Sequence, residues 1–286
     1  MSGFTADWLA LREPVDTAAR DIELARRFAS SLPRPARLAD LGAGTGAHAR
    51  VLAPLIGGDQ IWLLVDSDAA LRRAQRAAFF AWARRLGHAA REDDGGVTVR
   101  PDSGTWRFAS LALDLAQEDW RPLEAAPLDG VACSAFLDLA SAAWIERLAA
   151  WLAARRLPFY AALTVDGRRV WAPPAPEDAV VAAAFRRHQA RDKGLGPALG
   201  GEAAGYAAKC LSFQRFTVTE AGSDWRLGPD APVLAPLVHG EADAAREAAP
   251  EAAAAVALWR ERRLAEAEAA TLGLMVGHRD LLALPA

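Results

Sequence analysis

The sequence predicts an α/β fold in which a mostly parallel sheet is flanked by helices. Short apolar runs alternate along the chain with longer patterns of helical periodicity, which is typical of strands joined by crossover helices. A glycine-rich segment at 40–47 joins the first predicted strand to the next helix, and three strands end in an acid, namely Asp40, Asp66 and Asp114. Because right-handed crossovers make these strands parallel, the three acids are expected at one edge of the sheet.

Each element follows from a local pattern. Residues 5–31 have helical periodicity, which Pro14 is expected to break into two helices. Apolar runs that end at Gly, Pro or Asp predict buried strands, and the Asp-Gly pair at 166–167 predicts a turn after the fifth strand. The predicted strands are 37–44, 61–68, 106–115, 129–139, 158–165, 213–220 and 274–285, with 97–100 as one arm of a hairpin. The further helices are 46–56, 68–86, 141–156, 177–191 and 241–271, the last broken at Pro250.

One large α/β domain accounts for most of the 286 residues. We expect residues 1–35 to form an N-terminal helical cap. Residues 36–286 then form the main domain, with helical insertions at about 176–211 and 241–271. Hydrophobic residues make up 52% of the chain, so a chain of this length can bury a core without disulfides or metal.

Composition excludes several classes of function. The net charge is −3 and basic residues form no stripe with interleaved aromatics, so no nucleic-acid partner is expected. Cys133 and Cys210 have no metal-ligand spacing, which indicates two structural thiols in a reducing compartment. The sequence has neither a signal-peptide pattern nor an uncharged apolar run of about 18 residues. It therefore predicts a cytoplasmic protein with no membrane partner, and it leaves the oligomeric state open.

Two kinds of ligand compete for the glycine-rich loop. Gly42, Gly44 and Ala47 satisfy the G-x-G-x-x-A pattern of dinucleotide sites. Residues 40–46 also satisfy D-x-G-x-G-x-G, a pattern of S-adenosylmethionine (SAM) sites. The carboxylate of Asp40 would repel a pyrophosphate but attract the sulfonium and α-amino group of SAM. We therefore predict SAM, with a nicotinamide or flavin dinucleotide and an unliganded loop as alternatives.

Two further acids are placed to hold a nucleoside. Asp66 lies 20 residues after Gly46 and can accept hydrogen bonds from both ribose hydroxyls. Asp114, at the end of the third strand, could accept from an adenine amino group. Any one of the acids alone could be an ordinary surface residue, but together with the glycines they favour one crevice.

The sequence around these residues resembles the class I SAM-dependent methyltransferases. The resemblance covers residues 36–165, through LADLGAGTGAHARVLAP, LLVDSD, FASLALDL and VACSAFLDLAS. It implies a Rossmann-like fold with a seven-stranded, mostly parallel sheet whose last strand is antiparallel, with added N-terminal and C-terminal helices. It also implies SAM as the cofactor and methyl transfer (EC 2.1.1 class) as the reaction, and it does not identify the acceptor.

The same resemblance implies which residues contact SAM. His48, in the first turn of the next helix, could reach the methionine carboxylate, or could be a partly exposed helix residue. The other implied contacts are Asp40, Gly42, Ala43, Gly44 and Gly46 for methionine and ribose, Asp66 and Ser67 for the ribose, Asp114 and Leu115 for adenine, and Ser134, Ala135 and Phe136 for the methyl donor.

The end of the fourth strand argues against nucleic-acid-base methylation. Residues 133–136 read CSAF, without the prolines of the D/N/S-P-P-Y/F motif, and Ala132 rather than proline precedes Cys133. We expect Cys133 to be an inert buried thiol. A metal-dependent, catechol-type reaction would need clustered oxygen ligands, for which Asp138 and Asp166 are the candidates. The chain contains no Asn, and we expect no metal.

Two segments outside the predicted SAM-binding core contain candidate residues for binding an anion and for accepting a proton. An arginine of the N-terminal helix could clamp a carboxylate of SAM or of the acceptor, or Arg20 could simply pair with Asp16 on a surface helix. His188 and Asp192 are spaced to hydrogen-bond, so we predict His188 as general base and Asp192 as the residue that orients it. Phe136 would then pack beside the acceptor. The alternative is a core histidine followed by a plain connector.

The sequence thus predicts a SAM-dependent methyltransferase that acts on an oxygen or nitrogen of a small-molecule acceptor. Three alternatives stay open: a SAM-fold binding or scaffold protein without transfer activity, a methyltransferase acting on a protein, and an NAD(P)-type oxidoreductase.

Overall fold

A computed structural model describes residues 4–93, 95–117 and 119–286. In these ranges the chain forms one ten-stranded sheet flanked by ten α-helices. The strands are β1 Ala36–Leu41, β2 Gln60–Asp66, β3 Ala89–Asp93, β4 Gly96–Arg100, β5 Trp106–Ala112, β6 Gly130–Ser134, β7 Phe159–Ala172, β8 Phe216–Gly222, β9 Trp225–Leu227 and β10 Gly273–Pro285. The helices are α1 Ala6–Ala19, α2 Ile22–Ser30, α3 Ala47–Ile56, α4 Ala69–Arg85, α5 Arg121–Glu124, α6 Ala142–Arg155, α7 Asp178–Gln189, α8 Ala203–Phe213, α9 Leu234–Ala248 and α10 Ala253–Glu268.

The predicted parallel sheet with an antiparallel last strand is confirmed. The order is β3-β4-β5-β2-β1-β6-β7-β10-β8, and the pairs from β5 through β7 are parallel. β10 runs antiparallel to both β7 and β8. Strand number differs from the expected seven. The antiparallel hairpin β3–β4 adds two strands beside β5, and the short β9 pairs with the start of β10.

Two local predictions were wrong. Pro14 does not break the first helix, because α1 runs through it to Ala19. Pro14 and Ala10, whose carbonyl loses its partner, both face solvent, so water can replace the missing bond. The Asp-Gly pair at 166–167 does not end the fifth strand either. β7 continues to Ala172 and accommodates the pair as an irregularity in its register with β10.

Three apolar clusters fill the molecule. Helices α2, α3 and α4 pack on one face of the sheet, with Phe28, Leu52 and Phe79 among the buried residues. Helices α6 and α8 pack on the opposite face. The third cluster joins α7, α9 and α10 to β9 and the extended ends of β7 and β10, and α1 packs against it. Helix α1 therefore lies between this third cluster and the glycine-rich loop.

Candidate functional site

The glycine-rich loop follows β1 and opens α3 as predicted, and it is closely packed. Gly42 has a φ of +65°, and a Cβ there would lie 2.4 Å from a ring carbon of Phe136. Gly44 has a φ of +55°, and a Cβ there would lie 2.9 Å from a methyl carbon of Leu9 in α1. Both positions therefore need glycine for backbone conformation and for space. Phe136 and Leu9 therefore pack directly on the loop.

Asp40 lies beneath this loop with an unsatisfied carboxylate. Its side chain is 1% exposed, and neither oxygen has a hydrogen-bond partner of acceptable geometry among the described residues. Burial raises the pKa of Asp40 from 3.8 to about 8, although the nearby charge of Arg20 and the backbone N–H of Ala49 act in the opposite direction. Buried polar groups are normally hydrogen-bonded. An orphaned carboxylate at a strand end is therefore a candidate ligand-binding group.

Arg20 extends from the junction of α1 and α2 into the same region. Its Nη1 lies 2.6 Å from Nδ1 of His48, and its Nη2 donates to Oγ of Ser134 at 3.0 Å. The predicted alternative pairing with Asp16 is wrong. Helix α1 ends at Ala19, so the i,i+4 geometry is lost, and Asp16 instead accepts two hydrogen bonds from Arg12 at 2.9 and 3.0 Å.

His48 is buried and neutral. Burial and, to a lesser extent, the charge of Arg20 lower its pKa well below 6.5. A guanidinium can only donate, so Nδ1 accepts and Nε2 carries the proton. This Nε2–H has no acceptor among the described residues, and neither has Nε of Arg20. The expectation of a partly exposed helix residue at position 48 is therefore wrong, since the side chain is 3% exposed.

Asp66 lies at the carboxyl end of β2 and faces the loop. One oxygen accepts from the backbone N–H of Gly44 at 2.7 Å and the other from Asp68 at 2.8 Å. Burial raises its pKa. Gln75 of α4, which the sequence analysis missed, donates to the carbonyl of Gly44 at 2.9 Å. These contacts fix the loop from the side on which a ribose is expected.

The residues predicted for the adenine side bond mainly to neighbouring groups of the protein. Asp66 pairs in register with Ala112, so Asp114 lies just beyond the neighbouring strand end as predicted. Asp114 is exposed, and its carboxylate accepts from Ala116 N and Gln117 Nε2 in its own turn. Leu115 is a core residue, and its carbonyl accepts from Trp144 Nε1. Ser67 is exposed, with its carbonyl bonded to Arg72.

Residues after β6 border the loop on the other side. Ala135 has a φ of +49° and donates its N–H to Ala162 of β7. Phe136 packs edge-on against Trp144 at 5.3 Å while its other side meets Gly42. Cys133 is buried, and burial raises its thiol pKa well above 9.0, in keeping with an inert thiol.

Asp138 follows in a 3-10 turn at Leu137–Leu139. Its Oδ1 is buried and has no hydrogen-bond partner among the described residues. Burial raises the pKa of Asp138 to about 6, with the charge of Arg12 acting against the shift. Asp166, the other candidate metal ligand, pairs with Arg168 through an oxygen that also lies 3.8 Å from Arg279 Nε. No group of three or more His, Cys, Asp or Glu side chains with metal-binding geometry occurs within the described residues.

The predicted His188–Asp192 hydrogen bond is wrong. Helix α7 ends at Gln189, so Asp192 lies beyond it and its Oδ1 accepts from the N–H groups of Gly194 and Gly196. His188 instead lies 3.5 Å from Glu247 and 3.4 Å from Lys193. The loop at 194–201 does lie beside the site, since Leu195 and Leu199 bond to Ser141 and Ala140. A base role for His188 stays a prediction, without Asp192 as its partner.

Arg50 is a further residue of the site that the sequence analysis missed. It lies on α3, donates Nη1 to the carbonyl of Thr45 at 2.6 Å and forms two hydrogen bonds with Glu13 of α1 at 3.1 and 2.6 Å. Its side chain is 3% exposed. Arg50 thus ties α1 to the glycine-rich loop. Only the tertiary contact reveals it, because nothing in the local pattern distinguishes Arg50 from a surface arginine.

The strand order, the antiparallel last strand and the loop after β1 define a Rossmann-like α/β fold. No protein-family model and no curated protein matches the sequence. Solved structures are similar over most of the chain. The chain aligns over 99% of its length with a cyclopropane-fatty-acyl-phospholipid synthase-like protein from Lactobacillus casei, covering 95% of that chain at 16% identity and a TM-score of 0.49.

Two further solved structures are similar over most of the chain. A cyclopropane synthase from Mycobacterium tuberculosis aligns with 92% of this chain and 83% of its own, at 15% identity and a TM-score of 0.41. A geranyl diphosphate C-methyltransferase from Streptomyces coelicolor aligns with 93% of this chain and 76% of its own, at 11% identity and a TM-score of 0.40. These similarities do not identify the reaction or the substrate of this chain. Among the described residues, no helix has the length and apolar character to span a membrane.

Proposed function

We propose that the chain is a SAM-dependent methyltransferase acting on an oxygen or nitrogen of a small-molecule acceptor. The observation that carries the proposal is the group of unsatisfied buried polar atoms beside the glycine-rich loop. They are the Asp40 carboxylate, Nε of Arg20 and Nε2–H of His48. Buried polar groups are costly to leave without partners, and the amino-acid part of SAM carries an ammonium that would pair with Asp40 and a carboxylate that would pair with the donors.

The charges of the residues beside the loop match the amino-acid end of SAM. Asp40 would take the ammonium, and Arg20 with His48 would take the carboxylate through charge-assisted hydrogen bonds. Asp66 and Ser67 would hold the ribose beside Gly42, Ala43, Gly44 and Gly46, with Asp114 and Leu115 at the adenine. Ser134, Ala135 and Phe136 would border the methyl group.

SAM supplies a methyl group on a sulfonium, which transfers by in-line displacement to a nucleophile. The protein has to align the acceptor and exclude water. Phe136 and Leu9 are placed to exclude water, because both pack directly on the loop. An oxygen or nitrogen acceptor must also lose a proton.

We place the proton acceptor at Asp138 in preference to His188. Asp138 follows β6 directly, in the crevice outside the carboxyl ends of β6 and β7 where ligands of open α/β sheets bind. Its Oδ1 is buried and without a described partner, and a pKa of about 6 leaves it mostly ionised at neutral pH. His188 keeps Glu247 and Lys193 as its neighbours.

The experiment measures transfer directly. The protein is incubated with SAM labelled in its methyl group and a panel of small hydroxyl- and amine-bearing metabolites, and labelled product is separated from SAM. Asp40→Asn serves as the matched inactive variant. Label transfer by the wild type but not by the variant supports the proposal. Binding of SAM without transfer to any small molecule or protein would favour the binding or scaffold alternative, and label in a protein band would favour a protein acceptor.

A further inference from the structure

Asp280 in the last strand is a buried carboxylate with three hydrogen-bond donors around it. It is 0% exposed. Oδ1 accepts from the N–H of Leu163 at 2.8 Å, and Oδ2 accepts from the Tyr160 hydroxyl at 2.8 Å and from the N–H of Asp21 at 3.0 Å. Burying a carboxylate is costly unless hydrogen bonds compensate it. The three donors therefore hold Asp280 in one orientation, and Asp280 in turn joins two separate parts of the chain, β7 and the start of α2.

The first of these contacts stabilises a β-bulge beside the site. Arg279 of β10 is opposite Thr164, but Leu281 is opposite Ala161, so β7 contains one extra residue facing Asp280. Leu163 in this bulge has a φ of +56°, and its N–H is bonded to the Asp280 side chain instead of to the neighbouring strand. Bulges of this kind redirect side chains near functional sites.

The second and third contacts converge on Arg20. Asp21 follows Arg20 directly, so its N–H bond to Asp280 fixes the backbone from which the Arg20 side chain extends. Tyr160, bonded to the same oxygen, stacks on His48 with ring centres 5.6 Å apart. His48 is itself the partner of Arg20 Nη1. Asp280 thus reaches Arg20 by two routes, one through the backbone and one through stacked rings.

We propose that Asp280 is a positioning residue for the amino-acid end of SAM. By fixing Asp21 and Tyr160 it aims Arg20 and His48 at the position of the ligand carboxylate. This inference rests on the proposed function, because it assumes that SAM binds at the loop. It differs from a general structural role in one respect: loss of Asp280 weakens binding of the amino-acid part of the ligand and leaves the adenosine part unaffected.

The test compares two ligands that differ only at that end. S-adenosylhomocysteine has the amino-acid part, whereas 5′-methylthioadenosine has the same nucleoside and thioether without it. Both are titrated calorimetrically into the wild type and Asp280→Asn. We expect Asp280→Asn to lower the affinity for S-adenosylhomocysteine at least about tenfold, which is the effect of losing one charge-assisted bond. The affinity for 5′-methylthioadenosine should fall less than about twofold.

Tyr160→Phe separates the two routes. It removes one bond to the same buried carboxylate but keeps the Asp21 bond and the ring that stacks on His48, so the affinity for S-adenosylhomocysteine should fall less than in Asp280→Asn. Equal weakening of both ligands in Asp280→Asn, or unchanged affinity for S-adenosylhomocysteine, would overturn the inference. A wild type that binds neither ligand would overturn the proposed function, and this inference with it.

A second pair of variants tests the same contact if Asp280→Asn does not fold. Asp21→Ala and Asp21→Pro both lose the side chain that caps α2, but only the proline loses the N–H bonded to Asp280. The φ of −74° at Asp21 and the extended conformation of Arg20 both suit proline at position 21. We expect Asp21→Pro to bind S-adenosylhomocysteine at least about tenfold more weakly than Asp21→Ala. Equal affinities in the two variants would contradict the inference.

Discussion

Burial strongly disfavours the ionised form of Asp40 in the proposed site. Its carboxyl is buried without a described partner, and burial raises its pKa to about 8. Below that pH the ligand-free protein holds Asp40 mostly protonated. An ammonium beside it would favour the carboxylate and lower the pKa again. Binding of SAM below about pH 8 must therefore release a proton from Asp40.

We expect the wild type to release roughly one proton on binding SAM at about pH 6.5. Asp40→Asn, which cannot titrate, should release none and bind more weakly. Calorimetry in two buffers of different ionisation enthalpy measures the proton number. Asp138→Asn is the control, because it alters an acid on the acceptor side and should keep the release. Equal proton numbers in the wild type and Asp40→Asn would contradict this assignment.

Asp66 provides the second residue-scale prediction. Asp66→Ala removes the acceptor predicted for the ribose hydroxyls and frees the N–H of Gly44. Loss of a charge-assisted hydrogen bond costs roughly 1.5–3 kcal/mol, so SAM affinity should fall about 10- to 100-fold. Asp59→Ala is the matched control at the other end of the same strand, where the carboxylate accepts only from Thr105 N in the described structure. SAM affinity in Asp66→Ala equal to that in Asp59→Ala would reject the role.

The sequence predicted the loop, Asp40, Asp66 and the location of Asp114, because each depends on a strand end that local pattern marks. It failed for two side-chain pairs, Asp16–Arg20 and His188–Asp192. Both were predicted from an i,i+4 spacing, and in both the helix ends before the second partner. The contacts of Arg20, Arg50 and Asp280 join residues far apart in the chain, and no local signal marks such contacts.

At the scale of elements, helix α1 packs against the glycine-rich loop. Leu9 packs on Gly44, and Glu13 forms two hydrogen bonds with Arg50 of α3. On its other side, Asp16 of α1 accepts from Trp225 Nε1 at 3.1 Å. The helix is thus held both by the loop and by the third apolar cluster.

Glu13→Gln should loosen α1 at its loop side. The change leaves Arg50, with a side chain 3% exposed, without its ionic partner. The free energy of unfolding should fall by about 2 kcal/mol, and amide hydrogen exchange should increase along α1. Urea denaturation and exchange mass spectrometry measure the two effects. Glu23→Gln removes an exposed pair with Arg26 and should cost under about 0.5 kcal/mol. Equal losses in the two variants would contradict the role of Arg50.

Several strand starts followed the sequence pattern, whereas the predicted ends of β1 at 44 and β6 at 139 lie beyond the observed ends at Leu41 and Ser134. The strands β2, β5 and β6 begin within one residue of their predicted starts. Pro14 and the Asp-Gly pair at 166–167 misled the prediction because tertiary context outweighs local propensity. A proline on a solvent face costs one bond that water replaces, and pairing with β10 carries β7 through the glycine.

At the scale of the whole molecule, the sheet brings the proposed SAM residues to one edge. Of the two candidate metal ligands, Asp166 forms an ion pair with Arg168, so Asp138 would have to hold a metal alone. We expect SAM binding and methyl transfer to be unchanged by EDTA. Activity that disappears with EDTA and returns with magnesium would contradict this expectation and would assign Asp138 and Asp166 as ligands.

The most direct test of the central claim is calorimetric titration of the wild-type chain with S-adenosylhomocysteine and, separately, with NADH. Asp40 and Arg20 at the loop suit a ligand with an ammonium and a carboxylate, whereas a pyrophosphate brings no cation with which Asp40 could pair. The account predicts saturable, equimolar binding of S-adenosylhomocysteine and no measurable binding of NADH. Saturable binding of NADH without binding of S-adenosylhomocysteine would contradict it.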